Sequence, residues 1–372
     1  MASNQMSKSF TTHDFYTQSR EKALDGPNGW LLFVSCNSGI KLAHDIRNEY
    51  EALHLENNSS PISVPLIGTY EEPLTRVFTD GESCPRLPIH VAGANAYVFQ
   101  STHEYITPNT VSDNIQQLIQ VIRTLRSHRA KTITVVLPYS PYSRQDKPSF
   151  MKRESALASL FADQLKVAGA DLYLTYHPHT LSLYGFYEPD IKFVALSGLD
   201  LFEQTFTEFK NSDDTIVVST DAGGAKATVH FADKMELPYA ISSKFRQTNG
   251  KASLIGVIGE IKDKKRAIII DDETVTGNSI VNAVKTLHTK YGIEECFVGV
   301  SHFKIRDEEV KKFIEANEKY GLKEVHITNT VPQKKAILDL DFIVQHDLSS
   351  IFATTINKLH YNMSVSLTFS RL

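Results

Sequence analysis

Short apolar runs rich in Val, Ile and aromatic residues recur along the whole chain, and most are followed by an amphipathic stretch. The clearest are WLLFVSC (30–36), KTITVVLP (131–138), DLYLTYH (171–177), TIVVS (215–219), RAIIIDD (266–272), CFVGVSH (296–302) and VHITNT (325–330). Ala267-Ile268-Ile269-Ile270 is apolar on both faces, as suits a parallel strand covered by helices on both sides. Between the runs, Leu157, Leu160, Phe161 and Leu165 share one helical face, and Ile280, Val284, Leu287 and Tyr291 share another. This alternation predicts an α/β chain of doubly wound, mainly parallel sheets flanked by helices. More than about a dozen elements are too many for one sheet of ordinary size, so two are expected.

A break near Leu196-Ser197-Gly198 divides the chain into comparable halves. The expected organisation is a polar N-terminal extension (1–28), a first domain (29–197) joined by a C-terminal segment (about 355–372), and a second domain (198–354). The 372 residues agree with two or three domains at about 150 residues each. With 39 Lys+Arg against 43 Asp+Glu, the formal charge is -4, so no basic excess points to nucleic acid. Cys36, Cys84 and Cys296 are odd in number and far apart, which excludes a CxxC metal site and argues for reduced thiols in a cytoplasmic protein. No run approaches about 18 apolar residues, and residues 1–26 carry no apolar core for a signal peptide, so no membrane partner is expected.

Ligands of open α/β sheets bind beyond the carboxyl ends of strands, so the polar residues there carry most of the information. Four places qualify. In RAIIIDDETVTGNS, Asp271 and Asp272 end a buried run and Thr276-Gly277-Asn278-Ser279 leads into a helix near Ile280. Amides and hydroxyls at a helix N-terminus cradle phosphate, and adjacent carboxylates can accept from a sugar diol or hold a divalent cation. A turn with an Asp and a Thr or Ser cap is the plainer alternative. TIVVSTDAGGAKATVHFAD has the same shape, with Asp221 ahead of Gly223-Gly224, although Gly-Gly after a strand is often only a tight turn.

VVLPYSPYSRQDK places Arg144, Gln145, Asp146 and Lys147 after a strand and a Pro-containing turn. Arg offers a planar fork for phosphate and a face for a base, where a solvated charged loop would be the ordinary reading. In LYLTYHPHTLSLYGFY, His177 and His179 stand two apart at a strand end, where they could bind a metal or a phosphate oxygen or remain unliganded.

In this order and at these spacings the motifs resemble the ribose-phosphate pyrophosphokinases, or PRPP synthetases, from about Trp30 to Leu372. The resemblance adds Phe78-Thr79-Asp80-Gly81-Glu82, Val167-Ala168-Gly169-Ala170-Asp171, Gly185-Phe186, Lys244-Phe245-Arg246, Thr328-Asn329-Thr330-Val331-Pro332-Gln333 and Ser364-Val365-Ser366. It implies two phosphoribosyltransferase-like domains and transfer of the β,γ-diphosphate of ATP to the C1 hydroxyl of ribose 5-phosphate, releasing AMP. By the same resemblance Arg144, Gln145, Asp146 and Lys147 belong to the ATP site, and Phe78, Asp80 and Glu82 meet the adenine of a neighbouring subunit's ATP. The chain would then be a homo-oligomer, a dimer or a hexamer built of dimers, with its last residues packed on the first domain. His179 and Asp221, with His177 as a weaker candidate, would hold Mg²⁺. Asp271 and Asp272 would contact the ribose diol, directly or through a second Mg²⁺, and Thr274, Val275, Thr276, Gly277, Asn278 and Ser279 would receive the 5-phosphate. Lys244 and Arg246 match the catalytic loop, where mobile positive charge neutralises phosphate in the transition state.

Several positions depart from the family pattern. His177-Pro178 stands where Asp-Leu is usual, and an imidazole is a poorer ligand than a carboxylate for a hard cation. The usual Asp-Asp-x-x-Asp-Thr-x-Gly-Thr has Val275 at its third Asp, Gly277 one place early, and Asn278-Ser279 at Gly-Thr. The Gly-rich stretch expected after His302 is replaced by Phe303-Lys304-Ile305-Arg306-Asp307, and the stretch before Phe78 is about 15 residues longer than the pattern needs. Losing a carboxylate from the 5-phosphate loop points to a larger acceptor, such as the ribose end of ADP-ribose. Two competing readings are a phosphoribosyltransferase, which would leave the 78–82 and 144–147 segments without a role, and a non-catalytic subunit that regulates a true synthetase.

Overall fold

A computed structural model describes residues 24–58, 61–103, 109–246 and 252–365, with side chains described except at 243–246 and 252–255. β1 (Asp25–Gly26), β2 (Gly29–Ser35) and α1 (Ile40–Asn58) come first, followed by β3 (Leu66–Ile67) and a hairpin of β4 (Thr75–Val77) and β5 (Ser83–Pro85). Next are β6 (Ala94–Phe99), α2 (Val111–Ser127), β7 (Thr132–Val136), α3 (Leu157–Ala168), β8 (Leu172–Tyr176), α4 (Tyr184–Tyr187) and β9 (Lys192–Leu196). The first sheet runs β1-β2-β6-β7-β8-β9, with β3 also on β2, and only β1 is antiparallel.

Its strands are buried on both faces, which is why they read as unbroken apolar runs. One face sets Leu32, Val98 and Val135 against Leu118, Val121, Phe161 and Leu165 of α2 and α3. Leu160 is exposed, contrary to the expected helix face; Ala158 and Ala162 are buried beside Phe161 and Leu165 in its place. α2 begins with a capping box: Thr110 Oγ1 accepts from the Asp113 amide (3.2 Å) and Asp113 accepts from the Thr110 amide (2.8 Å).

The second body contains α5 (Leu199–Thr205), β10 (Thr215–Ser219), α6 (Ala225–Met235), β11 (Tyr239–Arg246), β12 (Ala252–Ile258) and β13 (Arg266–Thr274). It continues through α7 (Asn278–Tyr291), β14 (Glu295–Phe303), α8 (Asp307–Lys319), β15 (Leu322–Thr328), α9 (Lys335–Leu338) and β16 (Ile343–His346). Its sheet is ordered β12-β11-β10-β13-β14-β15-β16 and is parallel except for the edge strand β12. β13 runs on to Thr274, so Asp271 and Asp272 lie within the strand and not at its end, and α7 starts at Asn278, ahead of Ile280.

The last helix, α10 (Ser349–His360), returns to the first body. Leu348, Phe352, Ala353 and Ile356 share a cluster with Leu31, Phe33, Ile46 and Tyr50 on the free face of the first sheet. Asn357 Nδ2 donates to the Tyr50 hydroxyl at 2.9 Å, and Asn95 Nδ2 to His360 Nδ1 at 3.0 Å. The return begins ahead of position 355, and residues 366–372 lie outside those described.

Candidate active site

The carboxyl ends of the two sheets border one cleft of about 1440 Å³, a volume large enough for more than one small substrate. The first body lines it with Arg144, Asp146 and Lys147 after β7 and with His177 and His179 after β8. The second lines it with Asp221, Asp271, Asp272, Glu273 and the loop 274–279, except Gly277. Gln145 does not line the cleft; its amide is bound to the Tyr142 carbonyl and its carbonyl to the Ala158 amide, so its backbone shapes the turn that presents Arg144.

The two histidines point differently. His177 has a positive φ of 39°, and its ring is buried with Nδ1 2.5 Å from Ser301 Oγ. A Cβ on Gly198 would stand 2.2 Å from that Nδ1 and 2.7 Å from Ser301 Oγ, so only glycine fits where the chain passes between bodies. His302 donates from Nε2 to the His177 carbonyl at 3.0 Å. Burial holds both imidazoles toward their neutral forms, His302 at about 3. Thus His177, expected as a weak metal ligand, is an interdomain contact.

His179 faces the cleft, with Nδ1 2.7 Å from Asp272 Oδ2. That bond raises the histidine, helped by the charges of Asp272 and Glu273, while burial and the Arg144 cation oppose it. For Asp272, burial pushes the carboxyl up, but the bond to His179 and the charge of that imidazole prevail, and it falls to about 2. Asp271 goes the opposite way, raised well above the usual range by burial and by Asp272. Its Oδ2 accepts from Thr220 Oγ1 at 3.2 Å, and its Oδ1 from the Asp272 amide at 3.0 Å. The two carboxyls are thus pushed in opposite directions, Asp271 toward its neutral form and Asp272 toward its charged form.

Among the described residues, the group whose ligand atoms lie within 4.8 Å of one another is His179, Asp272 and Glu273. Asp221, expected with His179, is not in it; its Oδ1 accepts from the amides of Gly223 (2.9 Å) and Gly224 (3.2 Å) at the start of α6. The donor set around the cleft is mainly carboxylate oxygen, which suits a hard divalent cation. In the loop, the Gly277 amide donates to Thr274 Oγ1 at 3.2 Å and φ of Gly277 is +68°. Asn278 Oδ1 accepts from Lys312 Nζ at 2.7 Å, and the exposed apolar Val275 lines the cleft where a carboxylate was expected from the family pattern.

Phe78, Asp80 and Glu82 do not line the cleft. They form the exposed tip joining β4 and β5, closed by Phe78 N to Glu82 O (2.8 Å) and Glu82 N to Asp80 Oδ1 (3.0 Å). The side chains of Lys244 and Arg246 lie outside those described; their strand is β11, whose Ser242 borders the cleft.

Comparison with known proteins covers both halves. Residues 31–169 match the N-terminal domain of ribose phosphate pyrophosphokinase, and residues 245–370 match the phosphoribosyl synthetase-associated domain. The ribose-phosphate pyrophosphokinase of Mycoplasma genitalium is 33% identical over 294 residues, covering 79% of this chain and 85% of the relative. That of Caldanaerobacter subterraneus is 31% identical over 343 residues, covering 91% and 98%. The chain belongs to the ribose-phosphate pyrophosphokinase family. The crystal structure of phosphoribosylpyrophosphate synthetase from Mycobacterium smegmatis superposes with a TM-score of 0.74 at 26% identity, covering 88% of this chain and 98% of that one.

Family motifs did not reveal Glu273, Lys304 or Tyr139. Lys304 Nζ lies 2.6 Å from both Glu273 Oε2 and the Tyr139 hydroxyl, and burial lowers its pKa while Glu273 supports the charge. The residues stand far apart in sequence, and only their positions, beside Asp272, after β14 and after β7, could flag them.

Proposed function

We propose that the chain is a ribose-phosphate diphosphokinase that transfers the β,γ-diphosphate of ATP to the C1 hydroxyl of ribose 5-phosphate, giving PRPP and AMP. The observation that carries this is a single cleft in which Arg144 and Lys147 of one body face Asp271, Asp272 and the 274–279 loop of the other, in a chain of this family. Arg144 and Lys147 bind the ATP phosphates, and Asp146 borders them. The charged Asp272 and the more neutral Asp271 take the ribose hydroxyls, and the helix N-terminus at Asn278 and Ser279 takes the 5-phosphate with Thr274 and Thr276. His179 and Asp272 are the residues that would hold Mg²⁺, which would supply charge neutralisation on the diphosphate, and Asp221 borders the same cleft. Lys244 and Arg246 supply mobile cations from β11.

We assign residues 29–197 and the returning C-terminal segment to one domain and 198–354 to the other. The outward tip at Phe78, Asp80 and Glu82 supports a homo-oligomer in which it reaches a neighbour's adenine. No described helix is long and apolar enough to cross a membrane, and we place the enzyme in the cytoplasm.

AMP release with ATP and Mg²⁺ tests the reaction when ribose 5-phosphate and ADP-ribose are compared as acceptors. Turnover of ribose 5-phosphate is the expected result; no AMP with either acceptor refutes the assignment. The apolar, exposed Val275 favours a second reading, a larger conjugate such as ADP-ribose, and preferential turnover of ADP-ribose would select it.

A further inference from the structure

Glu273 and Lys304 form the most deeply buried ion pair among the described residues, with side chains 5% and 4% exposed and 2.6 Å between Oε2 and Nζ. Lys304 is fixed from the first body as well: its Nζ meets the Tyr139 hydroxyl at 2.6 Å and lies 4.0 Å from that ring's centroid. The other Glu273 oxygen, Oε1, is 2.9 Å from Arg144 Nε, an ion-pair contact whose angle is not that of a hydrogen bond. One carboxylate therefore sits between two cations.

A buried ion pair is weak evidence for stability, since desolvation offsets much of the attraction, so its position asks for a further role. Arg144 is 58% exposed and lines the cleft, yet its guanidinium is tethered at one end to a buried, immobile group. Contact through Nε does not consume the Nη1 and Nη2 edge of the fork, the edge that pairs with phosphate oxygens. Fixing a long side chain before the ligand arrives removes part of the ordering cost of binding. As a metal ligand Glu273 is poorly suited, because both oxygens already meet cations.

We propose that Glu273 is a positioning residue for the nucleotide: held by Lys304 and Tyr139, it fixes the Arg144 guanidinium at the cleft wall to receive the polyphosphate of ATP. This role rests on ATP being the donor substrate. Glu273→Gln alone would leave Lys304 buried without a counter-charge, so the test variant is Glu273→Gln with Lys304→Met, which removes both charges.

The experiment measures equilibrium binding of α,β-methylene-ATP, with and without Mg²⁺, to the full chain, to this double variant, to Arg144→Ala and to the triple variant. Thermal unfolding monitors the fold, and ribose 5-phosphate binding is measured in parallel. The expected result is about fivefold weaker nucleotide binding by the double variant, with or without Mg²⁺, the upper scale of an ion pair with one exposed partner. Ribose 5-phosphate binding should stay within about twofold, and the triple variant should bind nucleotide like Arg144→Ala, since contacting groups do not act additively. Wild-type nucleotide affinity in the double variant, a loss that adds fully to that of Arg144→Ala, or a loss confined to Mg²⁺ would overturn the anchor role while leaving ATP as donor. A wild-type chain that does not bind the analogue would overturn both.

Discussion

The two α/β bodies share a plan and place opposite chemistry at their strand ends. The first presents Arg144, Lys147, His177 and His179, and the second presents Asp221, Asp271, Asp272 and Glu273. The first side is mainly cationic and imidazole, with Asp146 its one carboxylate, and the second is mainly carboxylate, with Lys226 and His230 of α6, so the two sides complement each other across the cleft. The contacts that join them are His179 to Asp272, His177 to Ser301, Arg144 to Glu273 and Lys304 to Tyr139, and of these the His179–Asp272 bond shifts both its partners toward their charged forms. Within each side, neighbouring residues then diverge: His177 is buried at the cleft edge with its ring on Ser301 while His179 faces the cleft, and Asp271 is pushed toward its neutral form while Asp272 is held toward its charged form.

The largest effect should come from the cores. Phe161→Ala in the first body and Phe231→Ala in the second each remove a fully buried ring and should cost about 3–5 kcal/mol in denaturant unfolding. A common transition shifted by either change is expected from the shared interface; two independent transitions would break the idea that the bodies act together.

At the carboxylates, Asp272→Asn should lower kcat/KM about 100-fold or more, about 2.7 kcal/mol, by removing the charged partner of His179. Asp271→Asn should cost tenfold at most, on the order of 1.4 kcal/mol, because an amide resembles the neutral form. Equal losses in steady-state assays would erase the distinction between them.

The two glycine turns sharpen the comparison within the second body. At Gly277 a Cβ would lie 2.3 Å from Phe313, on a backbone with φ of +68°, so Gly277→Ala should destabilise by about 2 kcal/mol. At Gly223 the nearest atom is Asp221 Oδ1 at 3.1 Å and φ is not in the left-handed region, so Gly223→Ala should cost less than about 1 kcal/mol in the same melt.

The smallest effect is on pH dependence. Burial lowers His302 to about 3, below its ordinary value of 6.5, so between these values the unfolded chain binds the extra proton and stability falls as pH falls. The loss attributable to His302 should be about 1 kcal/mol from pH 6.5 to 5.5. His302→Gln should flatten that part of the stability curve in chemical denaturation, and an unchanged slope would remove His302 as its source.

The alternation of apolar runs and helical periods specified the sheets because a strand covered on both faces must be apolar throughout, as in Ile216–Val218 and Ala267–Ile270. β6, whose six residues are all buried, carries no such apolar run, because ANAYVF mixes small, polar and aromatic residues. The candidate site was legible at Arg144, Lys147, His179, Asp271 and Asp272, whose types and strand-end positions carry phosphate and diol chemistry. Gln145 and His177 were not separable from them, because spacing of one or two residues does not tell which way a side chain turns after a strand.

The sequence by itself determined the α/β class, the family and the loops where chemistry collects, since these follow from local periodicity and short motifs. Only the tertiary structure decided that His177 packs on Ser301 across the interface, that burial and His179 push Asp271 and Asp272 in opposite directions, and that Lys304 pairs with Glu273. Those facts depend on burial and on distances between residues remote in the chain, and both arise only when the two sheets meet.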